Sequence, residues 1–413
     1  MKKVCVIGGG PAGMLAAIEA AKGGANVVLL EKNNRLGVKL LITGKGRCNI
    51  TNYEIDNRKL AEAYGDNGKF LLSGLSRFSV FDVIDLFEKQ GVKIKVERGN
   101  RVFPCSDKSM DVLQVLEKKL RQSGTGVKVV KNAEVNKFVV KGDSIEKVIL
   151  NNGHEQQFDE YIVCAGGKSY PTTGSDGSMY ELLKKLGHTI VPPRPALVPV
   201  ICKERFIGDL EGLSLKHVEI SAWQNDKKQT SRFGEAIFTG DGMSGPIIID
   251  MSKEVCELLS NGQVKLGIDF KPALSEREVD VRILRDFQEL KNKMFKNSLD
   301  KLLPKKLIPI VIKLSEIDPD KKINSITKEE RKGLIKIIKN FELTVTRLAG
   351  FDKAIVTSGG VDLKEVDPKT MRSKIIKNLL FAGEVLDIDG PTGGYNLQVA
   401  WTTGYVAGSM LDE

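Results

Sequence analysis

The run Gly8-Gly9-Gly10-Pro11-Ala12-Gly13 restricts the fold of this chain more than any other stretch. It matches G-x-G-x-x-G, follows the short apolar segment Lys3 to Ile7, and opens a segment of helical spacing from Pro11 to Gly23. A second apolar segment, Val27 to Leu30, ends at Glu31. Strand, glycine turn, helix and strand in that order predict a βαβ unit built to hold a dinucleotide. Gly8 permits the tight turn, Gly10 lets backbone approach a diphosphate, and Gly13 lets helix and strand pack closely. Pro11 and Ala12 begin a helix whose free N–H groups face the anion. Glu31 is placed to accept hydrogen bonds from the ribose hydroxyls of an adenosine, with Lys32 beside it.

The 413 residues exceed one compact core, so two or three domains are expected. Hydrophobic residues at 41% and charged residues at 28% are ordinary globular usage. No apolar run reaches the roughly 18 residues that a membrane helix needs, and Val4 to Ile7 is too short for a signal-peptide core. A cytoplasmic protein is expected. The six cysteines form no C-x-x-C pair, and the three histidines, His154, His188 and His217, stand far apart. Metal catalysis is therefore not expected. The net charge of +10 is diffuse, with Lys and Arg interleaved among Asp and Glu through Ser275 to Glu342. That pattern reads as solvated helix faces, and with aromatics at only 6% it argues against nucleic acid as a partner.

The rest of the chain divides by composition. Ser109 to Ser123 reads as an amphipathic helix, and Val127 to Val130, Val135 to Val140, Ile145 to Leu150 and Tyr161 to Cys164 read as strands. The proline cluster Val191 to Pro195 marks a domain boundary. Beyond it, alternating segments at Val218 to Trp223 and Val264 to Phe270 suggest a β-rich insert. Ser275 to Phe295 and Thr327 to Phe341 then turn helical, the latter opened by a capping box of Thr327 with Glu330. Strands return at Ala354 to Thr357 and Leu379 to Ala382, before a last helix near Asn396. The expected architecture is α/β: a split Rossmann-like dinucleotide-binding domain of residues 1–190 and 351–413, a β-rich insert of 191–274 and 342–350, and a helical subdomain of 275–341.

Two further stretches point to FAD among dinucleotides. Lys39 to Asn52, KLLITGKGRCNITN, is dense in glycine, cations and side-chain amides. It is suited to run along a diphosphate and ribityl chain, with Lys39, Thr43, Gly44, Gly46, Arg47, Cys48 and Asn49 in contact. Toward the other end, Leu379 to Ala382 runs into Gly383-Glu384, which sets a carboxylate against a sugar alcohol, with Asp387 close behind. Gly393 and Gly394 then bring a helix beginning at Tyr395-Asn396-Leu397 against a flat ring, where its dipole stabilises negative charge. Glu134, Val135, Ala165, Gly166 and Gly167 complete the expected cofactor contacts.

Together with Ser169 to Ser175, Gly187-His188, Phe238 to Pro246, Thr357 to Val361 and GGYNLQVAWTTG, these motifs resemble the HI0933-like flavoprotein family. That family includes aminoacetone oxidases and bile-acid (3-dehydro-steroid) reductases. The resemblance covers nearly the whole chain. It implies a flavoprotein of two or three domains, with FAD at its centre and NAD(P)H as a transient electron donor. Relatives tend to carry histidine after the Phe-Thr of the middle motif where this chain has Gly240, so any role of that histidine does not transfer.

Catalytic candidates are Cys48, as a thiol beside the ring, and Tyr395, as a proton donor, each set against plain packing. The leading expectation is an NAD(P)H-driven reductase of a hydrophobic enone such as an oxo-steroid. The alternatives are an amine or aminoketone oxidase using oxygen, a tRNA-modifying flavoprotein, and a flavin-binding protein without turnover. The expected partner is a small hydrophobic molecule, with no membrane; oligomeric state is not legible.

Overall fold

Alternating apolar runs and glycine turns settle into a parallel sheet. The computed structural model describes residues 1–124 and 126–411; Thr125, Asp412 and Glu413, the last two at the end of the expected FAD-binding piece, lie outside the described residues. The elements that build the site are β1 (Lys3–Ile7), α1 (Pro11–Lys22), β2 (Asn26–Glu31), β3 (Lys128–Lys131), β4 (Glu160–Val163), β5 (Leu379–Phe381) and α2 (Tyr395–Ser409). The strands pair in the order β5-β4-β1-β2-β3, all parallel. Val4 faces Glu160 on one side and Val27 on the other, which fixes the register. Parallel sheets are covered on both faces, and VCVI, VVLL, YIV and LLF are the continuous apolar runs that such burial demands. Strand order reverses at β1, and in open α/β sheets ligands bind beyond the carboxyl ends of strands at such a point.

The chain splits into two compact units, Met1–Pro195 with Phe351–Glu413, and Ala196–Gly350. The first is the Rossmann-like unit. Its proline cluster lies in an extended strand, Ile190–Ala196, which forms a two-stranded sheet with Val356–Val361, and edges of this kind tolerate proline. The second unit is a closed six-stranded barrel. Its strands run in the order Val200–Cys202, Gly242–Ser244, Lys227–Phe238, Ser214–Gln224, Val264–Asp269 and Phe341–Leu348. The helices Glu276–Glu289 and Lys328–Lys339 bury Val279, Phe287 and Ile338 in the same cluster as Ile220, Leu266 and Phe341 of the barrel. The helical segment, expected as a subdomain of its own, thus shares one core with the β-rich segment.

Among the described residues no helix is long and apolar enough to cross a membrane, and no group of three His, Cys, Asp or Glu could hold a metal ion.

Candidate functional site

The two ends of the chain meet through small residues. A Cβ on Gly404 would lie 2.5 Å from the carbonyl oxygen of Ala12, and one on Gly408 would collide with Ala16. Only glycine allows α1 and α2 this approach. The pairings Ala12 with Gly404 and Ala16 with Gly408 advance together, so the helices run parallel in fixed register. Tyr395 precedes Gly404 by nine residues and Pro11 precedes Ala12 by one; at about 1.5 Å rise per residue, α2 begins about 12 Å beyond α1. Both helices present their N-termini in the same direction. Neither has a side-chain cap, since Gly10 heads α1 and Gly394 heads α2. Two positive helix ends are left open, spaced along one line.

Around the first end the glycines behave as the motif requires. Gly8 sits at φ 108°, and Cβ atoms on Gly8 or Gly13 would strike Cys164 or the Gly8 carbonyl. A Cβ on Gly10 would have nothing within 4 Å, which is open surface for a bulky anion. Glu31 is buried at the end of β2, where Oε2 accepts from the Gly9 N–H at 2.7 Å. Its Oε1 accepts from the Asn33 backbone at 2.7 Å and side-chain amide at 2.8 Å. A carboxylate offers about four lone-pair sites, so room for a ribose hydroxyl remains while the same group pins the glycine loop. Lys32 is paired with Asp176 at 2.8 Å and lies 4.0 Å from Glu134, and Val135 is buried at the start of the strand Val135–Lys141.

A second cluster joins four separate segments. Lys39 Nζ contacts Glu384 Oε2 at 2.6 Å and Ser169 Oγ at 2.6 Å. Glu384 Oε1 accepts from Ser169 Oγ at 2.8 Å and from the Thr357 N–H at 2.8 Å. Ala165 and the left-handed Gly166 lead into Gly167, which is glycine because Thr357 leaves no space for a Cβ. Ser169 and Thr357 were not singled out from the sequence as site residues, although both stand in motifs that carry the family resemblance. Asn67 reaches the same turn, donating to the Asp387 carbonyl at 2.6 Å.

The third cluster heads α2. Gly393 and Gly394 take φ 115° and 102°; Gly394 folds against Thr51, whose hydroxyl donates to Gln398 at 2.6 Å, and Gly393 lies beside the Asn52 amide. Asn52 donates to the Gly393 carbonyl at 3.1 Å. Asn396 spends its amide on the turn: Oδ1 accepts from the Gly390 N–H and Nδ2 donates to the Gly390 carbonyl, both at 2.8 Å. It shapes the loop, and the backbone N–H groups beside it, with half-buried Leu397, are what face outward. The Tyr395 ring packs edge-on to Tyr64 at 5.9 Å, and burial, then Glu54, raises its hydroxyl pKa.

Two of the expected side chains are held within the protein. Arg47, expected on a phosphate, is held by Glu97, by Asp107 at 2.7 Å and by the Phe103 ring, its guanidinium 4.0 Å from the ring centre. Cys48 is fully buried in a left-handed conformation, φ 61°, and burial pushes its thiol up to about 12 even though a hydrogen bond with Thr43 works the other way. Burial favours the neutral thiol over the thiolate. Thr43 also donates to the Leu40 carbonyl at 2.6 Å, while Gly44 and Gly46 supply left-handed bends at φ 56° and 85°.

These residues fit an extended dinucleotide such as FAD. Open space at Gly10 and two uncapped helix ends suit a diphosphate and an electron-accepting ring at separate stations. The amide oxygens of Asn49 and Asn52 are buried with no hydrogen-bond partner, two acceptors for the hydroxyl or N–H donors of such a ligand.

The chain matches the HI0933-like protein Rossmann domain over residues 2–410. It belongs to the HI0933-like family. The chain is 34% identical, over the full length of both, to a 3-dehydro-bile acid delta(4,6)-reductase of Clostridium scindens. It is 32% identical to a ribosomal RNA dihydrouridine synthase of Haemophilus influenzae, covering 99% of this chain and 98% of that one. A ribosomal RNA dihydrouridine synthase of Escherichia coli is 27% identical over 98% and 97%. Among solved structures, an open flavocytochrome c3 fumarate reductase aligns with a TM-score of 0.53 at 16% identity, covering 99% of this chain and 77% of that one. A 3-ketosteroid-delta4-(5alpha)-dehydrogenase of Rhodococcus jostii aligns at 0.50 and 16% identity, covering 100% and 97%. The family member in hand therefore has the Rossmann-like FAD-binding fold, split between chain ends and joined by a β-rich insert with helices.

Proposed function

We propose that this chain uses FAD to reduce a carbon–carbon double bond conjugated to a carbonyl group, with NAD(P)H as transient donor and a flat hydrophobic enone such as an oxo-steroid as substrate. The broader class, an FAD-dependent oxidoreductase, comes with family membership. The observation that carries the reading is the pair of uncapped, parallel helix starts offset by about 12 Å along their axes, one for a diphosphate and one for a ring that must hold negative charge. Bound there, FAD supplies hydride chemistry that the side chains lack. The chain's own groups position and polarise. The start of α1 holds the diphosphate, Glu31 meets the ribose, and Lys39 and Glu384 brace the middle. The N–H groups at the start of α2 stabilise the ring's negative charge. Tyr395, its proton held by burial, is the donor for the carbon left negative beside the carbonyl. The full-length bile-acid relative supports an enone.

A second reading has its own support: the substrate double bond is that of a uracil ring in ribosomal RNA. Two relatives aligned over almost their whole length carry that name. The chemistry is shared, because uracil also conjugates its double bond to a carbonyl.

The test is stopped-flow reduction of the purified holoprotein by NADH and NADPH under argon, followed by mixing with an oxo-steroid enone, with an amine, or with air. Bleaching by a nicotinamide and recovery of colour by the enone are expected. Bleaching by the amine alone, with peroxide released in air, would make the protein an oxidase and overturn both readings.

A further inference from the structure

Beside the start of α2, the Rossmann-like unit carries an exposed patch that the cofactor site does not use. Tyr53 and Phe81 are 39% and 49% exposed and meet edge-on, ring centres 6.2 Å apart. Tyr53 donates its backbone N–H to the Asn100 carbonyl at 2.7 Å, which sets it against the tip of the hairpin formed by Ile94–Glu97 and Arg101–Pro104. Arg98 and Arg101 flank that tip and are exposed. Among the described residues neither has a carboxylate partner; Arg101 Nε donates only to the Arg98 carbonyl. The nearby carboxylates are committed. Glu97 is held by Arg47 and Lys95, Asp82 caps its own helix through Ser79, and Glu54 accepts from the Asp56 N–H. One buried side chain couples this tip to the ring end of the site: Asn52 Nδ2 donates to the Gly99 carbonyl at 3.2 Å and to the Gly393 carbonyl at 3.1 Å.

We propose that Tyr53, Phe81, Arg98 and Arg101 form a docking surface for an unpaired segment of RNA, which brings a uracil toward the start of α2. This rests on the second reading above. Lone exposed aromatics are common on protein surfaces. A touching aromatic pair next to two unpaired arginines is the composition that binds single strands, with π-faces for bases and guanidinium groups for phosphates. An oxo-steroid needs no such cations.

The holoprotein is titrated into an end-labelled oligouridine of about 12 nucleotides across a salt series. The same proteins are then incubated with NAD(P)H and ribosomal RNA, and dihydrouridine is measured. Wild-type affinity falls linearly in log salt. The double variant R98E/R101E flattens that slope by about 1.4, because each phosphate of a single strand that no longer meets its cation takes about 0.7 from it. Y53A/F81A weakens binding about tenfold with the slope unchanged. Both variants keep bound flavin and the wild-type rate of flavin reduction by NAD(P)H, and both make less dihydrouridine. Dihydrouridine formed equally by wild type and variants overturns the surface alone. A wild type that makes none, and does not bind the strand at low salt, overturns the reading beneath it as well.

Discussion

Two helices of the barrel unit and two of the Rossmann-like unit begin in opposite ways. In the barrel unit, Glu276–Glu289 and Lys328–Lys339 open with reciprocal caps, Ser275 with Glu278 and Thr327 with Glu330. In the Rossmann-like unit, α1 and α2 open on bare glycines. A missing cap leaves orphan N–H groups, and the usual Ser, Thr, Asp or Asn cap is worth about 1 kcal/mol. The helix Val80–Glu88 of the same unit has a complete box through Ser79 and Asp82. Uncapped starts recur elsewhere, as at Gly177 and Gly245, so what sets α1 and α2 apart is that their two glycine-headed ends stand in parallel register beside the proposed ligand.

The sharpest way to break that contrast is to fill the first bare end. A side chain at Gly10 meets no atom within 4 Å, so Gly10→Glu leaves the fold intact and sets a carboxylate where the diphosphate belongs. FAD affinity is expected to fall at least about 100-fold, or about 2.7 kcal/mol, with far-ultraviolet circular dichroism unchanged. Retention of the yellow colour through dialysis would detach α1 from the cofactor.

Much of this contrast is written in local sequence. The glycine motif is six contiguous residues, and Thr327 with Glu330 is a box within one turn, so short-range pattern exposes both. What local pattern hides is pairing over distance. Arg47 resembles a phosphate ligand until the fold brings up Glu97 and Asp107, 50 and 60 residues away. Gly404 and Gly408 look like poor helix formers until Ala12 and Ala16 press against them. Periodicity in Glu276–Glu289 shows that one face is buried without saying against what, which is why the helices gave no sign of sharing the barrel's core. Glu31 was legible as an acid at a strand end, but its bond to Gly9 needed the turn to be built.

The capped side of the comparison predicts a smaller effect with the opposite signature. Thr327→Ala removes the hydroxyl that accepts from the Glu330 N–H at 3.1 Å and is expected to cost about 1 kcal/mol of stability. Urea unfolding followed by tryptophan fluorescence reports the loss, and flavin content should not change. A fall in flavin occupancy would mean that the capped helices also serve the cofactor.

The smallest effect concerns acid. His188 is buried in the Rossmann-like unit, with Nδ1 3.2 Å from Glu365 and Nε2 3.1 Å from the Ser373 hydroxyl, whereas His217 of the barrel unit is exposed. Burial lowers the His188 pKa below its ordinary value, although Glu365 opposes the shift. The unfolded chain therefore takes up a proton near pH 6.5 before the folded one does. Stability is full above that pH and is lost as pH falls from there through the lowered folded value. One proton limits the slope to about 1.4 kcal/mol per pH unit, and the realised loss is a fraction of that. Hydrogen exchange at pH 7.5 and 5.5 should show the added opening at Ser178–Lys185 and around Ser373, and His188→Asn should abolish the difference between the two pH values. Equal acid-induced opening in the barrel unit would remove buried histidine as its source and leave the two units alike in this respect.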